Sequence, residues 1–250
     1  MLGGCRTPPY EEKIEDKNID SGNKINYSKC ILHYKFNHPD PFKDECDNNP
    51  GINHESTEVE GLEGQARRFR GLNYLVAKNH PSMELNQGYF SIDFDINIKE
   101  YPPSFGNRIY GLSTIAGQFD RPYETFRKRP LSWIIDLSGN GTIAFTKSAR
   151  CRVNYGDIIV GETVGSFSRP IPRSKWTHIR AEYSTTEDKM RLFFDDNLED
   201  EVTPEIRGIC QDSDADIYIG NCQSSNEICK YPYNPTHDVN LDNLIIRKAR

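Results

Sequence analysis

The chain has 250 residues, enough for one large β domain or two small ones. Its 13 Tyr and 12 Phe against 3 Met favour a core of sheets over a helix bundle. Its formal net charge of −6 argues against nucleic acid as a partner, because phosphate binding needs a basic surface.

The first 29 residues are predicted to form a flexible leader or stalk, since residues 6–29 are charged and lack apolar periodicity. The start has neither the basic nor the apolar region of a signal peptide. The stretch Leu2-Gly3-Gly4-Cys5 resembles the end of a bacterial lipoprotein signal, so a lipid anchor at Cys5 is an alternative. The few residues ahead of that Cys could not work as a signal, which favours a chance start.

Strand patterns begin at Cys30, and a polar turn region is expected over residues 37–60. The clearest strand is 88–100, where apolar and polar residues alternate. Asn140-Gly141 suits a tight hairpin turn. Further strands are predicted at 66–69, 72–77, 108–115, 132–137, 142–145, 157–164, 176–183, 190–195, 215–220 and 239–247. Together they predict one all-β sandwich domain over residues 30–250. The sequence contains no apolar run long enough for a transmembrane helix.

The seven cysteines form no CxxC pair, and the six His are scattered, which argues against a structural zinc. Cys210, Cys222 and Cys229 are the best disulfide candidates, and Cys5 is the natural odd thiol. This usage favours an extracellular or cell-surface location. The alternative is a cytosolic protein with several buried free cysteines.

An ordered series of short segments runs along the chain: an Asp/Asn-rich turn at 44–48, a glycine-spaced run at 61–75, the long strand 88–99, a hairpin opened by Trp176-Thr-His178-Ile, then 216–220 and 241–246. In this order, residues 30–250 resemble the laminin-G-like, concanavalin A-like jelly-roll superfamily. The resemblance implies a two-sheet antiparallel sandwich. For function it implies a non-catalytic recognition module that binds carbohydrate or a protein partner.

The same resemblance implies a structural Ca²⁺ where the first and last strands meet, because hard cations take several oxygen ligands from turns. Asn37, Asp44 and Asp242 are of the right type. Asp242 is the most suggestive, since a charge between two leucines of the last strand needs a partner. The alternative is that Asp242 faces solvent or caps a turn, and that the Asp/Asn run is only a solvated loop.

The loop at 117–130 is the predicted ligand site, through Arg121, Tyr123, Arg127 and Arg129. Aromatic rings stack on sugar faces, and guanidinium groups clamp carboxylates or sulfates, so an acidic glycan or an acidic protein surface would fit. The alternative is a solvated loop whose aromatic residues close the sandwich edge.

No catalytic residue is predicted. Glycosidases of this fold carry Glu-x-Asp-x-x-Glu, which is missing here, although Asp93-Phe-Asp95 alternates. Arg68, His178 and Tyr110 are of the types that polysaccharide lyases of this fold use, but no signature joins them. Two polar faces would line a groove if concave: one is Asp93, Asp95 and Asn97, the other Trp176, His178, Arg180 and Glu182. A polysaccharide-acting lyase or hydrolase is thus the alternative function, and a structural module of an adhesion or coat assembly is the third.

Overall fold

The computed structural model describes residues 27–37, 39–46, 49–71, 73–83, 85, 88–102, 113–119, 131–148, 161–165, 169–205, 207–209, 215–220 and 237–249. Within these ranges the chain forms strands and a single short 3-10 turn at Pro81–Met83. The strands are β1 (Tyr27–Tyr34), β2 (Gly51–His54), β3 (Thr57–Glu60), β4 (Gln65–Arg70), β5 (Tyr74–Ala77), β6 (Tyr89–Glu100), β7 (Ser113–Phe119), β8 (Leu131–Leu137), β9 (Ile143–Ser148), β10 (Gly161–Gly165), β11 (Trp176–Ser184), β12 (Lys189–Phe194), β13 (Asn197–Val202), β14 (Ile217–Gly220) and β15 (Asp238–Ala249).

The strands form two antiparallel sheets, which we call the front sheet and the back sheet. The front sheet has the order β13-β12-β11-β6-β15-β4-β3, and β1 also pairs with β15. The back sheet has the order β10-β9-β8-β7-β14-β5-β2. This is the all-β, two-sheet antiparallel sandwich that the sequence predicts.

The core lies between the two sheets. Along β6 every second residue is apolar and buried: Phe90, Ile92, Phe94, Ile96 and Ile98. They pack in one cluster with residues of β8 on the opposite sheet, among them Trp133, Ile135 and Leu137. Because side chains alternate along a strand, the polar residues of β6 must then point out of the sandwich.

Three strands lie where the sequence pattern predicts loops. β2 and β3 fall inside the polar region 37–60, and β13 follows the Met190–Phe194 strand across a two-residue turn. The turn residues Asp195 and Asp196 both have positive φ, 48° and 62°, as a tight hairpin requires. All three are the outermost strands in the order of their sheets. Polar and charged side chains are expected on such edge strands, because they have a neighbouring strand on one side only. The sequences of these three strands are therefore too polar to show the alternating apolar pattern by which a strand is recognised.

Several predicted boundaries also differ from the structure. β1 begins at Tyr27, three residues before the predicted Cys30, and β7 ends at Phe119, four residues after the predicted end at 115. Residues 108–112 of that predicted strand lie outside the described residues. Residues 1–26, including Cys5 and most of the predicted leader, lie outside the described ranges. In the described part of the chain, no helix is long and apolar enough to cross a membrane.

A disulfide joins Cys30 on β1 to Cys46 in the turn that follows, with a Cα–Cα distance of 5.8 Å. It closes a short loop at the edge of the sandwich. The predicted candidates Cys210, Cys222 and Cys229 all lie outside the described residues, so that prediction stays untested.

Candidate functional site

The four predicted ligand residues, Arg121, Tyr123, Arg127 and Arg129, lie outside the described residues. The loop therefore stays a predicted contact surface. The candidate site among the described residues lies on the outward faces of the two sheets.

The predicted calcium ligand Asp44 closes a turn through backbone hydrogen bonds. Its Oδ1 accepts the N–H groups of His33 at 2.8 Å and Cys46 at 2.9 Å, and its Oδ2 accepts the N–H of Asn49 at 3.0 Å. The carboxylate thus ties β1 to the loop that the disulfide closes. Asp44 is buried and caps this turn, so it does not belong to a merely solvated loop.

Asn37 and Asp242 both hold the turn between β3 and β4. Asn37 Oδ1 accepts the N–H of Gln65 at 2.7 Å, while Asp242 Oδ2 accepts the N–H of Leu62 at 3.0 Å. Asp242 is fully buried, and this burial raises the pKa of its carboxyl to about 6 despite the backbone donors. No group of three or more His, Cys, Asp or Glu in the described ranges is arranged to hold a metal ion. Calcium, with Asn and carbonyl oxygens among its ligands, stays a prediction.

The outward side of the front sheet carries a dense set of polar side chains, which we call the polar face. Successive side chains of β6, β11 and β15 alternate between the two sides of the sheet. Those on the polar face are Ser91, Asp93, Asp95, Asn97, Trp176, His178, Arg180, Glu182, Asp238, Asn240, Asp242 and Arg247. The two faces identified separately in the sequence therefore form one surface, because β11 pairs directly with β6.

Four adjacent strands contribute one side chain each to a row across the polar face. Trp176 on β11 pairs with Asn97 on β6, Asn97 pairs with Asn240 on β15, and Asn240 pairs with Arg68 on β4. With neighbouring strands about 4.8 Å apart, the row is roughly 14 Å long. We call it the amide row.

The two asparagines of the amide row hold unsatisfied acceptors. Asn97 and Asn240 are only 6% and 5% exposed, and neither Oδ1 accepts a hydrogen bond from the described part of the chain. A buried acceptor without a donor costs about 1–3 kcal/mol. Both oxygens are closed to solvent, so a water or a ligand hydroxyl could supply the missing donor only after neighbouring side chains of the row move aside. The half-buried Trp176 beside them offers a ring edge or face to an apolar ligand surface.

Arg68 is fixed at the other end of the row by a carboxylate. Its Nε donates to Asp238 Oδ1 at 2.7 Å, and its second terminal nitrogen pairs with Asp238 Oδ2. This hydrogen bonding to Asp238 raises the pKa of the guanidinium above its ordinary value. The two-point fork orients Arg68 and leaves donors of its remaining nitrogen available.

His178 occupies the next row and contacts two acids. Its Nδ1 lies 3.0 Å from Asp95 Oδ1, and its Nε2 lies 3.8 Å from Asp93 Oδ1. Burial alone would lower the pKa of His178, but the hydrogen bonds and charges of the two acids outweigh burial and raise it to about 9. The imidazole is therefore a cation at neutral pH. A general base must be unprotonated at the working pH, so this histidine is unsuited to proton abstraction.

The outward side of the back sheet carries a small aromatic cluster. His54 stacks on Tyr74 with ring centroids 4.2 Å apart, and Tyr74 packs near Tyr218. Both tyrosines are buried. Their ring faces are therefore not offered to a sugar, and the polar face is the stronger candidate.

Comparison with known proteins finds similarity in structure alone, since no protein-family model and no curated protein matches the chain. The chain is similar to the binding domain of Paraclostridial Mosquitocidal Protein 1, with a TM-score of 0.61 and 16% identity over 88% of this chain and 49% of that one. It is similar to the binding domain of botulinum neurotoxin serotype G, with a TM-score of 0.60 and 12% identity over 89% and 49% of the two chains. The chain thus spans about half the length of these toxin domains.

A third similar structure matches over nearly its whole length. It is domain 4 of AbnA, an extracellular GH43 arabinanase of Geobacillus stearothermophilus, in complex with arabinotriose. The TM-score is 0.59 and the identity 14%, over 88% of this chain and 93% of that one. At such identities the similarity establishes the β-sandwich fold, and it does not assign a function.

Proposed function

We propose that this protein is a non-catalytic carbohydrate-binding module of the laminin-G-like, concanavalin A-like class, and that the amide row is its sugar site. The observation that carries this proposal is the pair of unsatisfied amide oxygens on Asn97 and Asn240 between an aromatic ring and an arginine. Small-ligand sites typically combine an apolar surface with a small number of polar groups that converge on the ligand. Sugar rings present both hydroxyl donors and apolar faces.

The comparisons support this proposal at the level of the fold. AbnA domain 4 is in complex with arabinotriose and matches along 93% of its length, so this sandwich can hold an oligosaccharide. A botulinum neurotoxin DC binding domain in complex with SialylT also matches, with a TM-score of 0.57 and 13% identity, over 90% of this chain and 49% of that one. Function still has to be argued from the site, because one fold hosts many activities.

The chemistry of the polar face favours binding over catalysis. Asp93 accepts a hydrogen bond from Ser91 Oγ at 2.8 Å and lies 3.3 Å from an Arg247 nitrogen, while Asp95 contacts His178. The acids of this face are therefore engaged by neighbours. With His178 protonated at neutral pH, the face presents no unprotonated histidine to act as the base of a lyase.

An extracellular or cell-surface location is part of the proposal. The Cys30–Cys46 disulfide suits an oxidising compartment, and the similar structures are domains of toxins and of an extracellular enzyme. Arg121, Tyr123, Arg127 and Arg129 are retained as proposed additional contacts for a glycan or an acidic protein surface.

A glycan array that includes arabino-oligosaccharides tests the proposal. Trp176→Ala and Asn240→Ala should abolish the binding seen with the parent chain. Phe193→Ala is the matched control, since Phe193 is a half-buried aromatic residue on the same face, beneath Arg180 and outside the amide row. A parent chain that binds no glycan, or an Asn240→Ala variant that binds as the parent does, overturns the proposed site. Capture of a protein partner by such a non-binding chain would favour the protein-interaction alternative.

A further inference from the structure

Acidic and basic side chains lie at different depths around the amide row. Asp238 has a side chain that is 4% exposed, whereas Arg68 and Arg70, which both contact it, are 36% and 67% exposed. Asp242, on the same face, is fully buried. The carboxylates thus form the floor of this end of the polar face, and the guanidinium groups form its rim.

Arg68 and Arg70 keep N–H donors that do not bond to the Asp238 carboxylate. Arg70 approaches Asp238 only through its Nε, at 3.6 Å, which is too long for a hydrogen bond. Arg68 commits its Nε and one terminal nitrogen to Asp238, so its other terminal nitrogen is free to donate outward. Both residues can therefore bind an oxyanion without leaving Asp238 unpaired.

Lys99 adds a third cation to this end of the face. It follows Asn97 by two residues on β6, with the core residue Ile98 between them, so both side chains point outward. Lys99 is half-buried and makes no ion pair within the described ranges. Glu100, exposed at the end of β6, lies close enough to stabilise the charge of Arg68 and offsets one cation. Arg68, Arg70 and Lys99 carry three positive charges against the two negative charges of Asp238 and Glu100. The carboxylate of Asp242 is held by the backbone N–H groups of Leu62 and Asn243.

We propose that this basic edge, formed by Arg68, Arg70 and Lys99, makes the amide row selective for acidic glycans that carry a carboxylate or a sulfate. The inference rests on the proposed function, because the edge borders the same site. The sugar ring would lie on the amide row, and its hydroxyls would donate to the asparagine oxygens once the side chains that cover these oxygens move aside. Its acidic group would accept hydrogen bonds from the free nitrogens of Arg68 and Arg70 and face the Lys99 ammonium. Arginine favours this role because its planar donors match the geometry of such oxyanions.

The test compares acidic glycans with neutral counterparts on one array. The probe pairs are sialyllactose with lactose, trigalacturonate with its methyl ester, and a heparin tetrasaccharide with its desulfated form. The parent chain should prefer the acidic members, and the preference should weaken as salt rises. Arg70→Gln and Lys99→Gln should each weaken acidic binding about two- to fivefold, the range of an exposed ion pair, and leave neutral binding unchanged. Arg70→Lys should retain most of the preference.

Arg207→Gln provides the matched control. Arg207 is 81% exposed and pairs with Asp188 at the far end of the β11–β12 hairpin, so its loss changes net charge equally without touching the basic edge. Equal binding of the acidic and neutral members, or an equal effect of Arg207→Gln and Arg70→Gln, overturns the selectivity while the sugar site stands. A parent chain that binds no glycan overturns the proposed function, and the selectivity with it. Comparison of the three probe pairs shows whether the protein recognises a sialic acid, a uronate or a sulfate group.

Discussion

His178 Nδ1 lies 3.0 Å from Asp95 Oδ1, across the pairing of two strands far apart in sequence. The contact holds a histidine in its charged form in the middle of the polar face, and its pKa of about 9 is above the ordinary 6.5. A raised folded-state pKa means that the stabilising contribution is complete below pH 6.5 and is lost as pH rises through 9.

The first prediction is that the raised pKa of His178 makes the protein less stable at high pH. The free energy of unfolding should fall by about 1–2 kcal/mol between pH 6.5 and pH 10, after allowance for the third of the side chain that is exposed. His178→Gln should remove this fall. Denaturant unfolding of both proteins at several pH values measures it. A stability difference between them that grows above pH 9 would contradict the prediction.

The second prediction concerns the disulfide between Cys30 and Cys46. The two residues are 16 positions apart, and a loop of that length restricts the unfolded chain by about 3 kcal/mol. Cys30→Ser/Cys46→Ser should therefore lower the midpoint of denaturant unfolding. Dithiothreitol should lower the parent's midpoint by more than it lowers the variant's, because a bridge among Cys210, Cys222 and Cys229 would be reduced equally in both. A parent whose midpoint ignores the reductant would contradict the prediction.

The third prediction concerns calcium at the edge formed by Asn37, Asp44 and Asp242. A cation bound only by the folded state raises its melting temperature, so EDTA should lower the melting temperature and added Ca²⁺ should restore it. Asp242→Asn should reduce the difference between the two conditions. Identical melting with chelator and with millimolar Ca²⁺ would remove calcium from the account of this edge and leave the three residues as turn caps.

The fourth prediction separates backbone strain from crowding at two glycines. Gly220 has φ +85°, and a Cβ there would lie 2.2 Å from Phe69 Cδ1, whereas Gly208 has φ +88° and open space. Gly208→Ala should cost about 1–2 kcal/mol through its backbone alone. Gly220→Ala should cost a further 1–3 kcal/mol, roughly, because the buried Phe69 must move. Equal losses in denaturant unfolding would show that the phenylalanine yields freely.

The sandwich is predictable from the sequence where both sheet neighbours and the core constrain a strand. β6 shows this, since Phe90 to Ile98 alternate without exception. β3 and β13 are not predictable in that way, because a sheet edge leaves Glu58 and Glu199 exposed or half-buried and removes the alternation. The hairpin from Trp176 to Phe194 is recognisable because its two strands are consecutive.

The amide row is harder to predict than the strands that form it. Trp176, Asn97, Asn240 and Arg68 lie on β11, β6, β15 and β4, strands that neighbour one another in the sheet but not along the chain. Their alignment depends on three separate registers, which no local pattern specifies. One local signal exists: Asn240 stands between the buried Val239 and Leu241, so its amide had to lie on the opposite face.

The fifth prediction is a trade between stability and binding at that residue. Asn240 leaves its Oδ1 buried and without a donor, so Asn240→Leu, which keeps a similar shape, should raise the free energy of unfolding by about 1 kcal/mol. The same change should abolish glycan binding. Asn53→Leu is the control, because Asn53 Oδ1 accepts the N–H of Ser56 at 3.0 Å and its loss should destabilise the turn after β2. If Asn240→Leu destabilises the protein as Asn53→Leu does, the Asn240 amide is satisfied within the fold and is not held ready for a ligand.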